Sequence, residues 1–507
     1  MKLPTLRRLF AAALAGCWLA ASTGASAQTV PASRWPETVR AALKKADVPL
    51  DALAVVVLPT GKLGPRWLHQ PDLPMQPAST MKLVTSVVAL DHLGITHRGF
   101  TEVLSAAQQD GDVLRGDIVL RGGADPELGL PELWSLLAEL RYLGIREIAG
   151  DIVLDRHLFR PARSDLGVPP FDEQPEFYYN VIPDALHLAG SLMGMELSSM
   201  SGQPAARLLP PLPGIEVDAS GLQLTDRACK DWDDDWQSPP QVATDATGTT
   251  RIALRGGFPR QCSVRTELQL LDRNQQAQAQ LRWVWQQLGG QWTGQVRDAA
   301  APTPTTAPSR VLARRFSRPW GEMLRPMNKR SDNAYTRLLY LSLGLAAMPA
   351  NPQASTSDLA RQDVLRWFAE HRIGTTGLVL DNGSGLSRSE RITPRQLASL
   401  LLAAYKSRQA PDLMMSMPVV GVDGTMRNRL KAGPATGAAR LKTGTLRNVV
   451  ALAGYVPDAQ GRMWVMSAMI NHERAAQARP ALDALVDWLS AKGPVNAMRG
   501  LAAGEAP

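Results

Sequence analysis

The sequence predicts an α/β fold that is spread over more than one domain. Six consecutive apolar residues, Leu53–Leu58, have the composition of a buried strand. The stretch Thr80–Leu93 has apolar residues at helical spacing. At 507 residues the chain is longer than a single domain usually is, so we expect two or three domains.

The rest of the chain alternates between the same two patterns. The sequence Gly116–Leu120 recurs as Gly150–Leu154, and the helical stretch Pro131–Arg146 between them predicts a β-α-β unit. The further predicted elements are a lead-in helix within 28–50, helices at Pro319–Leu345 and Ser357–His371, strands at Arg440–Leu446, Val449–Val456 and Met463–Ile470, and a terminal helix at Ala475–Leu489.

The N-terminus has the three parts of an export signal. Three basic residues precede the apolar stretch Leu9–Ala21, which is too short for a stable membrane anchor, and Ala25-Ser26-Ala27 forms a cleavage site. We therefore expect residues 1–27 to be a signal peptide and the mature protein to act in the periplasm. No later stretch reaches 18 apolar residues, so we expect no transmembrane segment in the mature protein.

A second interpretation of the leader remains open. Leu14–Cys17 resembles a bacterial lipoprotein box, which would leave the protein anchored through a lipidated Cys17. The apolar Trp18, Leu19 and Ala20 that follow favour a continuing signal sequence instead.

The overall charge excludes little by itself. Without the three basic residues of the leader, the net charge of +8 falls to +5. This mild excess is compatible with an anionic polymer as a neighbour. We expect no nucleic-acid partner, and the sequence does not predict the oligomeric state.

Two cysteines, Cys229 and Cys262, remain after removal of the leader. In an oxidising compartment they most simply form one disulfide. They lack the companions that a metal site needs, and the seven histidines are scattered, so we expect no metal and no cofactor. An acidic cluster at 231–235 lacks the glycine and glutamate of a calcium loop, so we expect a solvated loop.

Three short motifs occur in a fixed order along the chain. Ser79-Thr80-Met81-Lys82 is an S-x-x-K, Ser331-Asp332-Asn333 is an S-x-N, and Lys442-Thr443-Gly444 is a K-T-G. Taken singly, each has an ordinary interpretation: the first two as helix N-caps, the third as part of a hairpin. Together, in this order and in these local contexts, they indicate a catalytic site.

The chemistry of these residue types supports that interpretation. Ser79 and Lys82 are three residues apart at a helix start, so their side chains lie one turn apart on one face. A serine hydroxyl needs a base, and a desolvated lysine near other cations can be neutral near pH 7 and act as one. Gly444, which has no Cβ, allows a substrate or another backbone to approach its strand closely.

With these motifs the sequence resembles the penicillin-recognising serine enzymes. It is most similar to class C low-molecular-mass penicillin-binding proteins, the D-alanyl-D-alanine carboxypeptidase/endopeptidases. The resemblance covers nearly all of the mature chain. The further matching stretches are Pro77–Lys82, Gly123–Pro126, Lys329–Asn333, Asp381–Arg388 and Gly421–Thr425.

The resemblance implies the fold and the domain organisation. We expect a catalytic domain, made of residues 28–99 and 309–500, in which helices flank an antiparallel sheet. Residues 100–308, here called the inserted region, would form smaller, mostly β subdomains that carry the disulfide and end in the Pro/Thr-rich linker 299–308. The long gap between Ser79 and Ser331 matches this insertion.

The resemblance also implies the roles of the residues. Ser79 would attack a D-alanyl carbonyl of peptidoglycan stem or cross-bridge peptides, and β-lactam antibiotics would acylate it. Lys82 would be the base, Ser331 and Lys442 would complete a proton relay, and Asn333 would bind the substrate amide.

The K-T-G strand would contribute binding groups. The N–H groups of Ser79 and Thr445 would form the oxyanion hole. Lys442, Thr443 and Thr445 would bind the terminal carboxylate, beside Gly444.

The departures from the family pattern lie around Asp172. Phe171-Asp172-Glu173 and Tyr178-Tyr179-Asn180 stand where the family has other, aromatic-rich stretches. By resemblance, Asp172 would bind the free amine of a peptidoglycan diamino acid, with Glu173 as a rival for that role and a solvated loop as the alternative.

Two other functions remain open. A β-lactamase is suggested by Glu176–Asn180, which resembles a water-positioning motif of class A enzymes but has Tyr179 where leucine is expected. A non-catalytic wall-binding protein with a relic site is the other, and the intact catalytic residues argue against it.

Overall fold

The computed structural model of the chain describes residues 35–61, 66–303 and 309–492. The predicted signal peptide, its cleavage site and Cys17 lie outside the described residues, as does half of the linker. Within the range 28–50, a helix is found at Glu37–Lys45 (α1).

The central sheet combines strands from the two ends of the chain. It has five strands in the order β18-β19-β20-β1-β2, and every neighbouring pair is antiparallel. Its strands are β1 (Leu53–Pro59), β2 (Trp67–His69), β18 (Arg440–Leu446), β19 (Val449–Pro457) and β20 (Met463–Asn471). The predicted strands are confirmed.

Both faces of this sheet are covered by helices. Along β1, Leu53, Val55 and Val57 belong to one apolar cluster, and Ala54, Val56 and Leu58 belong to another. This alternation follows from the two-residue period of a strand. The first cluster packs against α1 and the terminal helix, and the second packs against the helices that hold the candidate site. Because β1 is buried on both faces, all of its positions are apolar.

The helices on the site's side of the sheet form one group. They are α2 (Lys82–His92), α5 (Trp320–Arg330), α6 (Asn333–Leu343), α7 (Thr356–Glu370), α8 (Pro394–Lys406) and α9 (Ala410–Ser416). The single helix predicted at Pro319–Leu345 is wrong, because Ser331 has a left-handed φ of 62° and ends α5. Asp332 then caps α6 by accepting from the N–H of Tyr335.

The terminal helix α10 spans Arg479–Ala491 and begins later than predicted. Pro480 lies in its first turn, where a residue without an N–H is tolerated, so the helix starts beside it.

The first half of the inserted region contains the predicted β-α-β unit. Strands β6 (Ile118–Gly123) and β8 (Ile152–Asp155) pair in parallel, and helix α3 (Leu130–Tyr142) connects them. Their sheet has the order β16-β8-β6-β3-β17, with β3 at Phe100–Ser105, β16 at Val296–Asp298 and β17 at Arg310–Phe316. A smaller sheet has the order β15-β7-β5-β4, with β4 at Gln108–Asp110, β5 at Val113–Arg115, β7 at Glu147–Ile148 and β15 at Gln291–Trp292. Through β17, strand pairing continues past residue 309, and the predicted domain bounds stay a prediction.

The second half of the inserted region is built from two three-stranded sheets and helix α4 (Arg273–Gln287). One sheet has the order β10-β9-β14, with strands at Ala205–Leu209, Met193–Ser198 and Ser263–Leu268. The other has the order β11-β13-β12, with strands at Ile215–Thr225, Thr250–Pro259 and Gln241–Thr244. The disulfide Cys229–Cys262 is present, with the two Cα atoms 5.2 Å apart. Arg227 pairs with Asp234 and Asp235, so the acidic cluster is partly neutralised.

Candidate active site

Ser79 lies in a short 3₁₀ turn, Ala78–Met81, that leads directly into α2. Two glycines allow other segments to approach this turn. A Cβ on Gly385 would lie 1.9 Å from the carbonyl oxygen of Ala78, and one on Gly444 would lie 2.5 Å from that of Pro77. The turn that contains Ser79 therefore packs between the loop that contains Gly385 and the edge strand β18.

Lys82 is fully buried and makes three contacts through its Nζ. It donates to Ser79 Oγ at 3.2 Å, to Asn333 Oδ1 at 2.5 Å and to the carbonyl oxygen of Ser384 at 2.5 Å. Burial lowers the pKa of Lys82 from 10.5 to about 7, although the Asp332 and Glu390 carboxylates oppose the change. A large share of the Lys82 side chains is therefore neutral near pH 7.

Lys442 is the second buried lysine of the site. Its Nζ donates to Ser331 Oγ at 2.8 Å and to the carbonyl oxygen of Thr443 at 3.0 Å. Burial, with a smaller effect from the charge of Lys82, holds the pKa of Lys442 well below its usual range. The left-handed φ of Ser331 is the kind of strained backbone conformation that is concentrated at functional sites.

Asn333 joins the site to the inserted region. Its Oδ1 accepts from Lys82, and its Nδ2 donates to the carbonyl oxygen of Tyr179 at 2.8 Å. A side-chain amide carries two N–H groups, and within the described residues only one partner of Asn333 Nδ2 is found.

The K-T-G strand is supported by the loop 421–425. Thr443 Oγ1 donates to Thr425 Oγ1 at 2.7 Å. Asp423 fixes this loop because it pairs with Lys329 and accepts from the N–H of Val419 at 2.8 Å. Thr445 is exposed at the end of β18.

The structure thus brings Ser79, Lys82, Ser331, Asn333 and Lys442 together, as the sequence predicts. Thr443 and Gly444, which follow Lys442 on the edge strand β18, lie at the same site.

Asp172 lies in a turn whose other end contacts the site through Tyr179. Its Oδ1 accepts from the N–H of Gln174 at 3.1 Å and from Asn180 Nδ2 at 2.9 Å. Arg388, from the matched stretch Asp381–Arg388, donates to the carbonyl oxygen of Phe171 at 2.8 Å. Asp172 is partly exposed, and the neighbouring Glu173 is exposed.

Glu176 does not lie open to a substrate. It is buried, and its carboxylate accepts from Trp236 Nε1 at 2.8 Å and from Ser238 Oγ at 2.6 Å. Its role is to join two parts of the inserted region, which removes the observation that favoured a β-lactamase.

Sequence reasoning missed a supporting carboxylate, Glu390. Its Oε1 accepts from the N–H groups of Asp381, Asn382 and Gly383 at 3.3, 3.1 and 2.8 Å. These residues precede Ser384, whose carbonyl contacts Lys82. Burial raises the pKa of Glu390. No motif in the sequence marks this residue, because its partners are backbone groups.

The described residues provide neither a metal-binding cluster nor a membrane-spanning helix. They contain no cluster of three or more His, Cys, Asp or Glu side chains that is suited to a metal ion. None of the helices in that part of the chain is long and apolar enough to cross a membrane.

The geometry is that of a serine acyl-transfer site, and comparison with known proteins identifies its class. The D-Ala-D-Ala carboxypeptidase 3 (S13) family matches residues 36–492. The chain belongs to this family.

Particular relatives agree with this assignment. A D-alanyl-D-alanine carboxypeptidase of an Actinomadura species is 31% identical over 396 residues, which cover 76% of this chain and 72% of the relative. The D-alanyl-D-alanine carboxypeptidase DacB of Haemophilus influenzae is 29% identical and covers 78% and 80%.

A solved structure supports the same fold. The crystal structure of penicillin binding protein 4 (dacB) from Haemophilus influenzae has a TM-score of 0.70 at 24% identity and covers 88% of this chain and 98% of that one. A second structure of that protein, complexed with a β-lactam, has a TM-score of 0.69. The predicted class, helices around an antiparallel sheet with an insertion, is confirmed.

Proposed function

We propose that Ser79 is the nucleophile with which this serine-type D-Ala-D-Ala carboxypeptidase and endopeptidase opens peptidoglycan stem and cross-bridge peptides. One observation carries the proposal: Lys82 Nζ lies 3.2 Å from Ser79 Oγ, and its pKa is lowered to about 7. Neutral Lys82 takes the proton as Ser79 Oγ bonds to the D-alanyl carbonyl carbon.

The second lysine serves the leaving group. When the C–N bond breaks, the leaving amine needs a proton. The proton that Lys82 took from Ser79 is the one delivered, and Ser331, which is bonded to Lys442, relays it to the leaving nitrogen. Water then attacks the ester, and the proton path runs in reverse. The second N–H of Asn333 binds the acyl-side amide.

The edge strand β18 provides the remaining groups. The N–H groups of Ser79 and Thr445 act as the oxyanion hole, where loss of one donor typically costs about 10²–10³ in rate. Lys442, Thr443 and Thr445 bind the terminal carboxylate, and the exposure of Thr445 leaves it accessible. β-Lactams acylate the same serine.

The proposal includes two further properties. Asp172 binds the side-chain ammonium of a diamino acid, since its turn contacts Asn333 through Tyr179. The protein acts in the periplasm after removal of residues 1–27, with a lipid anchor at Cys17 as the alternative.

The test is covalent labelling with a fluorescent penicillin. A long-lived adduct on wild-type protein supports the proposal, rapid turnover supports a β-lactamase, and no reaction supports a non-catalytic wall-binding protein. The Ser79→Ala variant should lose labelling and peptide cleavage while its thermal unfolding is unchanged. Residual covalent labelling of that variant would refute the assignment of the nucleophile.

A further inference from the structure

A large cleft lies between the active site and the inserted region. Its volume is about 1240 Å³, above the roughly 300–1,000 Å³ of typical small-molecule sites. One wall consists of residues around Arg330 and the turn 424–428, and the other contains residues 126–132 and 187–194. Ser79 does not line the cleft. The cleft begins at Thr425, whose side chain is hydrogen-bonded to Thr443 of the K-T-G strand.

The wall next to the active site is basic. Arg330 and Arg427 are both exposed, and neither forms an ion pair within the described residues. By contrast, Lys329 is paired with Asp423. On the opposite wall, Glu127 pairs with Arg318 and Glu132 caps its helix, whereas the exposed Glu267 forms no ion pair within the described residues. The cleft therefore offers two exposed guanidinium groups near Thr425 and an exposed carboxylate on the facing wall.

Two buried polar side chains at the edge of the cleft each have an atom without a hydrogen-bond partner within the described residues. His187 and Gln280 are each 2% exposed and line the cleft. Within the described residues, His187 Nδ1 and Gln280 Oε1 have no hydrogen-bond partner. Leaving such a group unsatisfied is unfavourable, so a ligand that reaches it and satisfies it is favoured. Burial lowers the pKa of His187 to about 4, so its ring is neutral at pH 7 and suits a peptide amide.

We propose that this cleft binds the leaving strand of a cross-link, the peptide that carries the amine of the scissile bond. This inference rests on the proposed function. Free D-alanine ends at the carboxylate that Thr443 binds, whereas the leaving strand of a cross-link continues beyond it as a peptide with further carboxylates. The direction from Thr443 to Thr425 leads into the cleft, where Arg330 and Arg427 pair with those carboxylates.

The test compares two substrates in one double variant. In Arg330→Gln/Arg427→Gln, the kcat/KM for a cross-linked muropeptide dimer should fall about 10- to 100-fold relative to that for an uncross-linked pentapeptide, as expected for lost charged hydrogen bonds. Arg325→Gln is the matched control, because Arg325 is exposed on the same helix but does not line the cleft. It should leave both rates unchanged. Labelling stoichiometry with fluorescent penicillin reports whether the double variant is folded.

The outcomes separate this inference from the proposed function. An unchanged ratio of the two kcat/KM values in the labelled double variant would overturn the cleft assignment. So would a wild-type protein that trims the pentapeptide but does not cut the dimer, and in that case Ser79 keeps its role. A wild-type protein that no penicillin labels would instead overturn the proposed function.

Discussion

Acylation of Ser79 should follow the titration of Lys82. Burial lowers the pKa of this amine from 10.5 to about 7. Burial thus makes the Lys82 amine available as a base near pH 7, whereas the amine of an exposed lysine would be almost wholly protonated.

The size of the effect follows from the neutral fraction. With a pKa of about 7, roughly one-tenth of Lys82 is neutral at pH 6 and about nine-tenths at pH 8. The second-order rate constant for acylation by a penicillin should therefore rise about tenfold between these values and then level off. Stopped-flow labelling from pH 5 to 9 measures it. A rate that is constant over that range, or that falls as pH rises, would refute the assignment of Lys82 as the base.

The matched variant is Lys82→Arg, which keeps the positive charge. A guanidinium stays protonated throughout this range, so it cannot accept the proton of Ser79. The acylation rate should fall by about 10²–10⁴ and lose its dependence on pH near 7. A variant that retained the wild-type profile would show that another group titrates.

Three further predictions concern groups around the site. Asp172→Asn should slow cleavage of a substrate with a free diamino-acid amine by about 1–3 kcal/mol in transition-state terms and spare the same substrate with that amine acetylated, as measured by kcat/KM. Replacing Cys229 and Cys262 by serine should lower the free energy of unfolding of the inserted region by roughly 3–4 kcal/mol, because the bridge spans 33 residues, while penicillin labelling persists. Glu390→Ala should slow acylation, because the three N–H groups that it binds precede the carbonyl holding Lys82, and Glu390→Gln, which keeps an acceptor, should restore most of the rate.

Each of these has a contrary result. Equal slowing of both substrates by Asp172→Asn would leave that carboxylate with a structural role. Loss of labelling without the disulfide would mean that the active site depends on the bridge. If Glu390→Gln were as slow as Glu390→Ala, the charge of the carboxylate, and not its hydrogen bonds, would be the important property.

The three motifs of the candidate site could be predicted because each is local in sequence. Ser79 and Lys82 are one helical turn apart, and the helix and strand around each motif have clear periodicity. Glu390 and the carbonyl of Tyr179 could not be predicted, because their contacts are to backbone groups or to residues more than 150 positions away. Periodicity alone predicted one helical stretch over Pro319–Leu345, because a left-handed residue between two apolar helical stretches leaves their periodicity intact, whereas the N-cap interpretation of Ser331-Asp332-Asn333 was correct for the start of α6.

The cleft could not be predicted from the sequence either. Its walls come from segments separated by up to 300 residues, and only packing brings Arg330 and His187 to one space. Periodicity places a residue on a helix face or a strand face, but it does not say which face of another domain lies opposite.

The central sheet has a consequence for the order of events during biosynthesis. Strand β1 pairs with β20, so Leu53 lies beside Ile470. Contacts between residues so far apart in the sequence form late in folding, and the ribosome makes the chain from its N-terminus. When the ribosome has made Ser79 and Lys82, strand β1 therefore still lacks its partner strand β20. Lys442 is added only with the last tenth or so of the polypeptide. Under the proposed function, a chain cut short before β18 would contain Ser79 and Lys82 without Lys442, and we expect it not to react with a penicillin.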